Sequence, residues 1–353
     1  MSADSGVLPV LRNTTSAKFL CYNASMANRE SVTIFGHVTN DLYPNRMGGS
    51  AAYASAALRR LGTLARVFTK LPPGHEYIAN LQTRGVAVYP LQIADPQKRE
   101  TITTFDNRYD SQGQRTQVVL AQQEAITAQD VQRTSTALFQ NTNVIVGPVL
   151  DEIDTETMRF LKEKQNNHIV LIAQGYFRQV DTHGTVTQKR WTDFAEVLQY
   201  ADVTIFSEED ITINGSFDAQ LLDEVIKSAH RYQQTVILTR GFVGATIFQP
   251  NQQPVKVGAF YLEENETKDF TGAGDVFVAA FLWATHHLRD TRQAAVFACL
   301  FAAVKIIGIG GMGIDAIPTK DEFNEYVRNN RKRVETYLKE QDAGIEFADV
   351  ILA

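Results

Sequence analysis

The sequence predicts an α/β fold: a central, mainly parallel sheet with helices on both faces, and a small β-sheet lid beside it. Two observations carry this. Short β-branched apolar runs alternate with helical stretches, and the crossovers between them reach about ten residues or more, as parallel strands require. One stretch, 101–120, breaks the pattern with less apolar strands around a polar turn, as expected of a sheet with one wet face.

The first strand begins at Ser31, with 32–35 as its apolar centre. Residues 49–61 are rich in Ala and Leu and read as a helix, and 64–69 and 86–91 read as strands. Segments 101–105, 107–114 and 116–120 form a predicted hairpin around Ser111-Gln112-Gly113. A helix at 128–139 leads to a strand at 143–146, which Gly147-Pro148 ends. The alternation continues with helix 155–164, strand 168–173, helix 194–200, strand 203–206, helix 218–232 and strand 235–239. A strand at 244–248 follows a glycine turn, and an apolar helix spans 276–285. In sheets of this kind the ligand crevice lies beyond the carboxyl ends of the strands, so functional residues are sought there.

Composition narrows the function. The 353 residues are 44% hydrophobic and suffice for a large core, while a net charge of −6 counts against nucleic acid or an anionic membrane as the main partner. Cys21 and Cys299 lack disulfide-framework or zinc-ligand spacing, which points to a reducing compartment and a cytoplasmic location. The apolar run 297–304 ends at Lys305 and falls short of the roughly 18 residues that span a bilayer, so it reads as a buried helix. Residues 1–30 are polar and aperiodic and are expected to form a flexible extension; 336–353 are expected to form a tail.

Residues 269–275 read Asp-Phe-Thr-Gly-Ala-Gly-Asp and precede the apolar helix. Small residues before a helix leave its first amides close to an incoming anion, and these donors, with the positive helix end, favour phosphate oxygens. At the helix start, Asp275 is placed to accept a proton from a hydroxyl while the amides hold a transferring phosphoryl. The plainer alternative is an Asp N-cap after a glycine turn.

This segment resembles the C-terminal signature of the ribokinase-like (pfkB) carbohydrate kinases, and the order of elements is similar over about 31–335. The resemblance implies a Rossmann-like ribokinase domain there, phosphorylation of a small polyol by ATP with Mg2+, and Asp275 as the base. It also implies an anion hole from the amides of Gly272, Ala273, Gly274 and Asp275, with Thr271 at the nucleotide. In many members the residue matching Asp269 holds a monovalent cation with nearby carbonyls, so K+ at Asp269 is implied as well.

Other landmarks follow in order. Asp41, after Gly36-His37-Val38-Thr39-Asn40, matches a substrate-binding carboxylate suited to paired hydroxyls, or is a turn residue. Gly48-Gly49 resembles the diglycine that lets a helix start approach the substrate, but Tyr53 stands where an Asn is common, which argues against a simple pentose. Ser207-Glu208-Glu209-Asp210 replaces an Asn-x-x-Glu that organises Mg2+ through waters, which makes Asp210 and Glu209 its candidate ligands; an acidic helix start is the alternative. Thr239-Arg240-Gly241-Phe242-Val243-Gly244 resembles the nucleotide-proximal turn, with Arg240 suited to phosphate oxygens or, alternatively, solvated at a plain hairpin.

The hairpin would be a lid that excludes water, with Asn107, Arg108 and Arg115 toward the substrate and a homodimer formed through it. Arg178, in Gln174-Gly175-Tyr176-Phe177-Arg178, is similar in placement to the branch that includes inositol kinases and is assigned to the substrate. Gly308–Gly313 looks like a dinucleotide fingerprint but follows a helical run, and no Gly-x-x-x-x-Gly-Lys-Ser/Thr is present. An active kinase for a sugar or cyclitol leads. A nucleoside kinase, with Tyr53 or Phe105 stacked on a base, and a non-catalytic binder remain as alternatives.

Overall fold

The computed structural model describes residues 31–42, 45–109 and 115–352. The predicted extension at 1–30 lies outside them. β1 (Ser31–Phe35) starts the central sheet, whereas β2 (Thr39–Leu42) and β3 (Arg46–Gly48) belong to a smaller one. β4 (Leu64–Thr69) and β5 (Ala87–Pro90) return to the centre, and β6 (Thr104–Tyr109) and β7 (Arg115–Ala121) complete the small sheet. β8 (Asn143–Val146) and β9 (His168–Ile172) follow in the central sheet, then a ribbon of β10 (Arg178–Val180) and β11 (Val186–Gln188). β12 (Val203–Ser207) precedes a second ribbon, β13 (Thr212–Ile213) with β14 (Ser216–Phe217). β15 (Thr235–Thr239), β16 (Ala245–Phe248) and β17 (Val255–Val257) finish the central sheet.

Among the described residues the central sheet runs β17-β16-β15-β12-β9-β8-β1-β4-β5. Neighbours from β15 to β5 are parallel, and β16 and β17 add an antiparallel edge. The chain moves outward from β1 through β4 to β5, then crosses back to β8 and proceeds the other way. β1 and β8 therefore flank the topological switch point, where a crevice opens beyond the strand ends. The backbone is tight there: Gly147 N–H donates to Phe35 O at 2.9 Å, and a Cβ on Gly36 would meet Gly147 O at 2.5 Å.

Burial explains the regular strands. One face of the sheet is covered by the helices Ser50–Arg60, Ala273–His287 and Thr291–Ile307, whose side chains form one apolar cluster with Ile34, Val67 and Ile145. The other face, with Phe35, Phe68 and Val146, packs against Met158, Leu161, Leu221 and Val225. The predicted α/β class with a parallel sheet covered on both faces is what the chain adopts. No helix among the described residues is long and apolar enough to cross a membrane.

Several boundaries differ from the sequence reading. The helix expected over 128–139 stops at Gln132 and resumes as a 3-10 turn at Thr136–Leu138, because Thr134 Oγ1 bonds Val131 O and competes with the helical ladder. The expected helix 155–164 is α-helical only to Arg159 and continues as a π-turn. β6 runs unbroken through 104–109, and residues 101–103 precede it without forming a strand. The C-terminal boundary at 335 falls inside the helix Arg331–Glu340, and Tyr337, Leu338, Val350 and Leu352 are buried, so this end is core, not a tail.

The small sheet is larger than the predicted hairpin. Its order is β3-β2-β6-β7, with β2 parallel to β6, so the segment after β1 is part of the lid. Phe105 of β6 packs on Val149 and Leu150, which follow β8. A buried polar knot fastens the root of the lid to the central sheet. His37 Nε2 donates to Glu124 O at 3.1 Å, while Nδ1 accepts from Thr103 Oγ1 at 3.1 Å. That pattern suits a neutral ring, and burial lowers the His37 pKa accordingly. Lys70 Nζ bridges Glu124 at 2.7 Å and Asp130 at 2.9 Å beneath it.

Candidate active site

The signature loop and the start of the helix Ala273–His287 lie at the crevice. Gly272 adopts φ 75, and a Cβ there would fall 2.2 Å from Tyr53 Cδ1, so only glycine fits on both counts. Ala273 N–H closes a turn onto Phe270 O at 3.1 Å, which removes it from the expected set of anion donors. Gly274 and Asp275 stand in the first helical turn, where amides have no intrahelical acceptor, and Gly274 is open to solvent.

Asp275 is partly exposed, and its carboxyl is pushed up to about 6. Desolvation is the main cause and the charge of Asp210 adds to it; the nearby Ser50 hydroxyl, Arg178 and Lys305 pull the other way. Ser50 arrives at this point because Gly49, at φ 87, turns the chain from β3 into the helix Ser50–Arg60; a Cβ on Gly49 would meet His37 O at 2.4 Å. Asp41 lies on β2, and its carboxylate sits so close to Gly48 that a Cβ there would meet Asp41 Oδ2 at 2.6 Å. The diglycine thus serves both the helix start and the carboxylate.

Arg178, at the start of β10, is buried and donates to Val149 O at 3.2 Å. Asp210 follows β12 and is also buried. Its Oδ2 accepts from Ser207 N and Ser207 Oγ, each at 2.8 Å, while Glu209 beside it is exposed. The charges of Arg178 and Asp210 act on Asp275, and those of Asp41 and Asp275 act on Tyr53, so four separate segments bring these sequence-predicted residues near one another.

Asp269 is engaged in a different way from the one expected. Its Oδ2 accepts from Gly313 N at 2.6 Å and from Arg46 Nη1 at 3.2 Å, and Thr271 N donates to Oδ1 at 3.0 Å. Arg46 Nη2 also donates to Thr271 Oγ1 at 2.6 Å. The ammonium of Lys305 donates to Asp269 O at 2.8 Å and Thr271 O at 2.5 Å, with Asp269 Oδ2 at 3.5 Å. These cations and amides hold the Asp269 carboxyl below its usual range despite its burial.

Tyr53 corrects the sequence reading. It is 1% exposed, its ring lies under Gly272, and Lys305 Nζ is 5.7 Å from the ring centroid. It supports the signature loop from below and does not face open space. Phe105 is buried as well, so neither ring is available to stack on a base. In the lid, Asn107 accepts from Gln117 Nε2 and Arg108 is exposed on Asp106, and neither contact involves the crevice; the Arg115 side chain lies outside the described ones.

Beyond β15, Thr239 to Gly244 form a tight turn with Arg240 N–H on Gly244 O at 2.7 Å. Gly244 has φ 107, and a Cβ would fall 2.1 Å from Val257 O. Arg240 makes a two-point ion pair with Glu208. Phe242, 68% exposed, meets Phe270 edge-on at 5.5 Å, so this turn and the signature loop border the same open apolar surface.

A family model for pfkB family carbohydrate kinases matches residues 32–319. The chain belongs to this family. Among solved structures, a pyrophosphate-dependent kinase of the ribokinase family, complexed with a pyrophosphate analog and myo-inositol, superposes with a TM-score of 0.64 at 19% identity, over 82% of this chain and 99% of that one. Ribokinase from Giardia lamblia superposes with a TM-score of 0.63 at 16% identity, over 85% and 98%. The bifunctional protein HldE of Nitratiruptor sp. is 33% identical over 108 residues, which span 30% of this chain and 21% of that protein. Curated relatives are thus matched over well under half of their length, and the structural likeness shows the ribokinase fold.

Within this pfkB chain, sequence reasoning missed Arg46, Lys305, Ser50 and Glu208. Lys305 had a signal: it is the one charge that interrupts the apolar run at 297–307. Arg46 had none, because only the β2–β3 pairing brings it to a partner 223 residues away.

Proposed function

We propose that this pfkB chain transfers the γ-phosphoryl of ATP to a hydroxyl of a sugar or cyclitol, with Asp275 as general base. The observation that carries the reading is the Asp275 carboxyl at the mouth of a helix N-terminus, at the sheet's switch point, with a pKa raised to about 6. A carboxylate poised near neutrality accepts a proton and is still ionised at pH 7.

In this mechanism the acceptor hydroxyl donates to Asp275 and gives up its proton as its oxygen bonds the γ-phosphorus. The bond to the β-phosphate oxygen breaks and ADP leaves. The amides of Gly272, Gly274 and Asp275, with the positive helix end, stabilise charge on the transferring phosphoryl. Thr239, Arg240, Gly241, Gly244 and Thr271 border the nucleotide, and Arg240 reaches phosphate by exchanging its contact with Glu208. Asp41 takes a pair of acceptor hydroxyls and Arg178 a third polar group. The lid sheet excludes water.

Buried Asp210 and exposed Glu209 beside the crevice suit a Mg2+ that keeps most of its waters. When bound there, the ion neutralises phosphate charge. The cyclitol preference rests on the placement of Arg178 and on the myo-inositol bound by the superposed relative. Burial of Tyr53 and Phe105 takes away the two rings that would have stacked on a base.

The test is a panel of sugars, cyclitols and nucleosides with ATP or pyrophosphate and Mg2+, read by mass of the phosphorylated product. A sugar or cyclitol phosphate formed with ATP is expected. A product only from nucleosides, or only with pyrophosphate, would replace that part of the reading. No product and no ADP from any acceptor would leave a non-catalytic binder.

A further inference from the structure

We propose that the ammonium of Lys305 occupies the seat implied for a monovalent cation, so that this kinase carries its own cation at the signature loop and takes up no K+. The resemblance implies a cation held by Asp269 and nearby carbonyls. Those oxygens already face Lys305 Nζ, which donates to Asp269 O at 2.8 Å and Thr271 O at 2.5 Å and forms an ion pair with Asp269 Oδ2 at 3.5 Å. A metal ion bound by the same three would coincide with the ammonium.

The surroundings argue the same way. The carboxylate of Asp269 has both oxygens committed, Oδ1 to Thr271 N and Oδ2 to Gly313 N and Arg46. One carboxylate thus faces two side-chain cations, and a third positive charge beside them would be repelled at short range in a poorly solvated site. The Lys305 side chain is 0% exposed, and such a charge persists only where it is paired and hydrogen-bonded. The Tyr53 ring closes over it.

The ammonium also does what a structural cation would do. Lys305 lies near the end of the helix Thr291–Ile307, and Lys268 N and Asp269 N both donate to Ile306 O. Backbone and ammonium together stitch the loop before Gly272 to that helix end, which fixes the amides that precede Asp275. Burial draws the Lys305 pKa down to about 8, opposed by Asp269, which leaves the group charged at neutral pH.

The experiment needs neither acceptor nor ATP, so its outcome is independent of the substrate reading. The melting temperature of the wild-type chain is measured in choline, sodium and potassium chloride at one ionic strength. A ligand that binds only the folded state raises the melting temperature. We expect equal values in the three salts; a rise of several degrees specific to K+ would overturn the proposal. Lys305→Ala vacates the seat, so K+ should restore several degrees to it while Lys305→Met, which refills the space without charge, stays unresponsive. A folded Lys305→Ala protein indifferent to K+ would overturn the claim that these carbonyls form a cation seat. Should Lys305→Ala not fold, the wild-type comparison decides alone.

Discussion

Arg240 grips Glu208 at two points, Nη2 to Oε1 at 2.9 Å and Nε to Oε2 at 3.2 Å, across the carboxyl ends of β12 and β15. The register that pairs Ser207 with Thr239 sets the two residues side by side. Both side chains are about one-third exposed, so the pair stabilises the fold little and is available for exchange. The guanidinium is thus fixed beyond the strand ends, with Glu208 as a carboxylate that any phosphate would have to displace.

Arg240→Ala is therefore expected to raise the KM for ATP and lower kcat/KM by roughly tenfold or more, the usual scale of a charge-assisted phosphate contact, with the melting temperature almost unchanged. Steady-state kinetics at varied ATP, with a thermal melt alongside, provide the check. Unaltered kinetics would leave Arg240 as a surface ion pair only.

Tyr53 is expected to act through packing. Tyr53→Asn removes a buried ring from beneath Gly272 and should cost about 3–5 kcal/mol, the range for deleting a large buried aromatic. The ranking of acceptors should not change. Tyr53→Phe should be nearly neutral, because the buried hydroxyl has no hydrogen-bond partner among the described residues. A changed ranking in Tyr53→Phe would return the residue to the substrate.

The contrast between these two residues marks where sequence reading stops. The central strands were readable because burial on both faces demands continuous apolar runs, as at Val32 to Phe35 and Asn143–Val146. The loop at 269–275 was readable because its glycines answer to a positive φ at Gly272 and an open position at Gly274. Spacing after the diglycine could not say which way Tyr53 points, since that depends on a helix packed against a loop more than 200 residues later. β2 and β3 escaped because four and three residues are too short for a period to emerge. Arg46 escaped because its partner, 223 residues away, exists only in three dimensions, whereas Lys305 was marked by its charge in an apolar run but not by its partners.

Under the proposed function, Asp210 bears on both the metal and the base. Asp210→Asn keeps the contact with Ser207 but removes a negative charge near Asp275. Two readouts follow: the Mg2+ concentration for half-maximal rate should rise several-fold, and the acid limb of the pH profile should move to lower pH. If neither moves, Asp210 serves only to tie down the segment that begins at Ser207.

The last prediction joins activity and stability at Asp275. Its carboxyl is raised to about 6, chiefly by desolvation, from an ordinary value near 4. As base it must be ionised, so kcat/KM should fall as pH drops through about 6. Should the Lys305 charge also be needed, a second loss follows above about pH 8. Stability runs the other way on the acid side. The folded state binds the Asp275 proton more tightly than the unfolded chain, so this group's stabilising contribution is complete below about pH 4 and is lost as pH rises through 6. At neutral pH the folded protein therefore carries a costly carboxylate. Asp275→Asn removes that cost and still caps a helix, so it should melt at or above the wild-type temperature at pH 7. Its turnover should nevertheless fall by about 100- to 10,000-fold, the usual contribution of a general base, with ATP affinity little changed. A residue that merely capped the helix would give the opposite result, because Asn caps as well as Asp does. Near-wild-type turnover in a folded, ATP-binding Asp275→Asn chain would remove Asp275 from the chemistry.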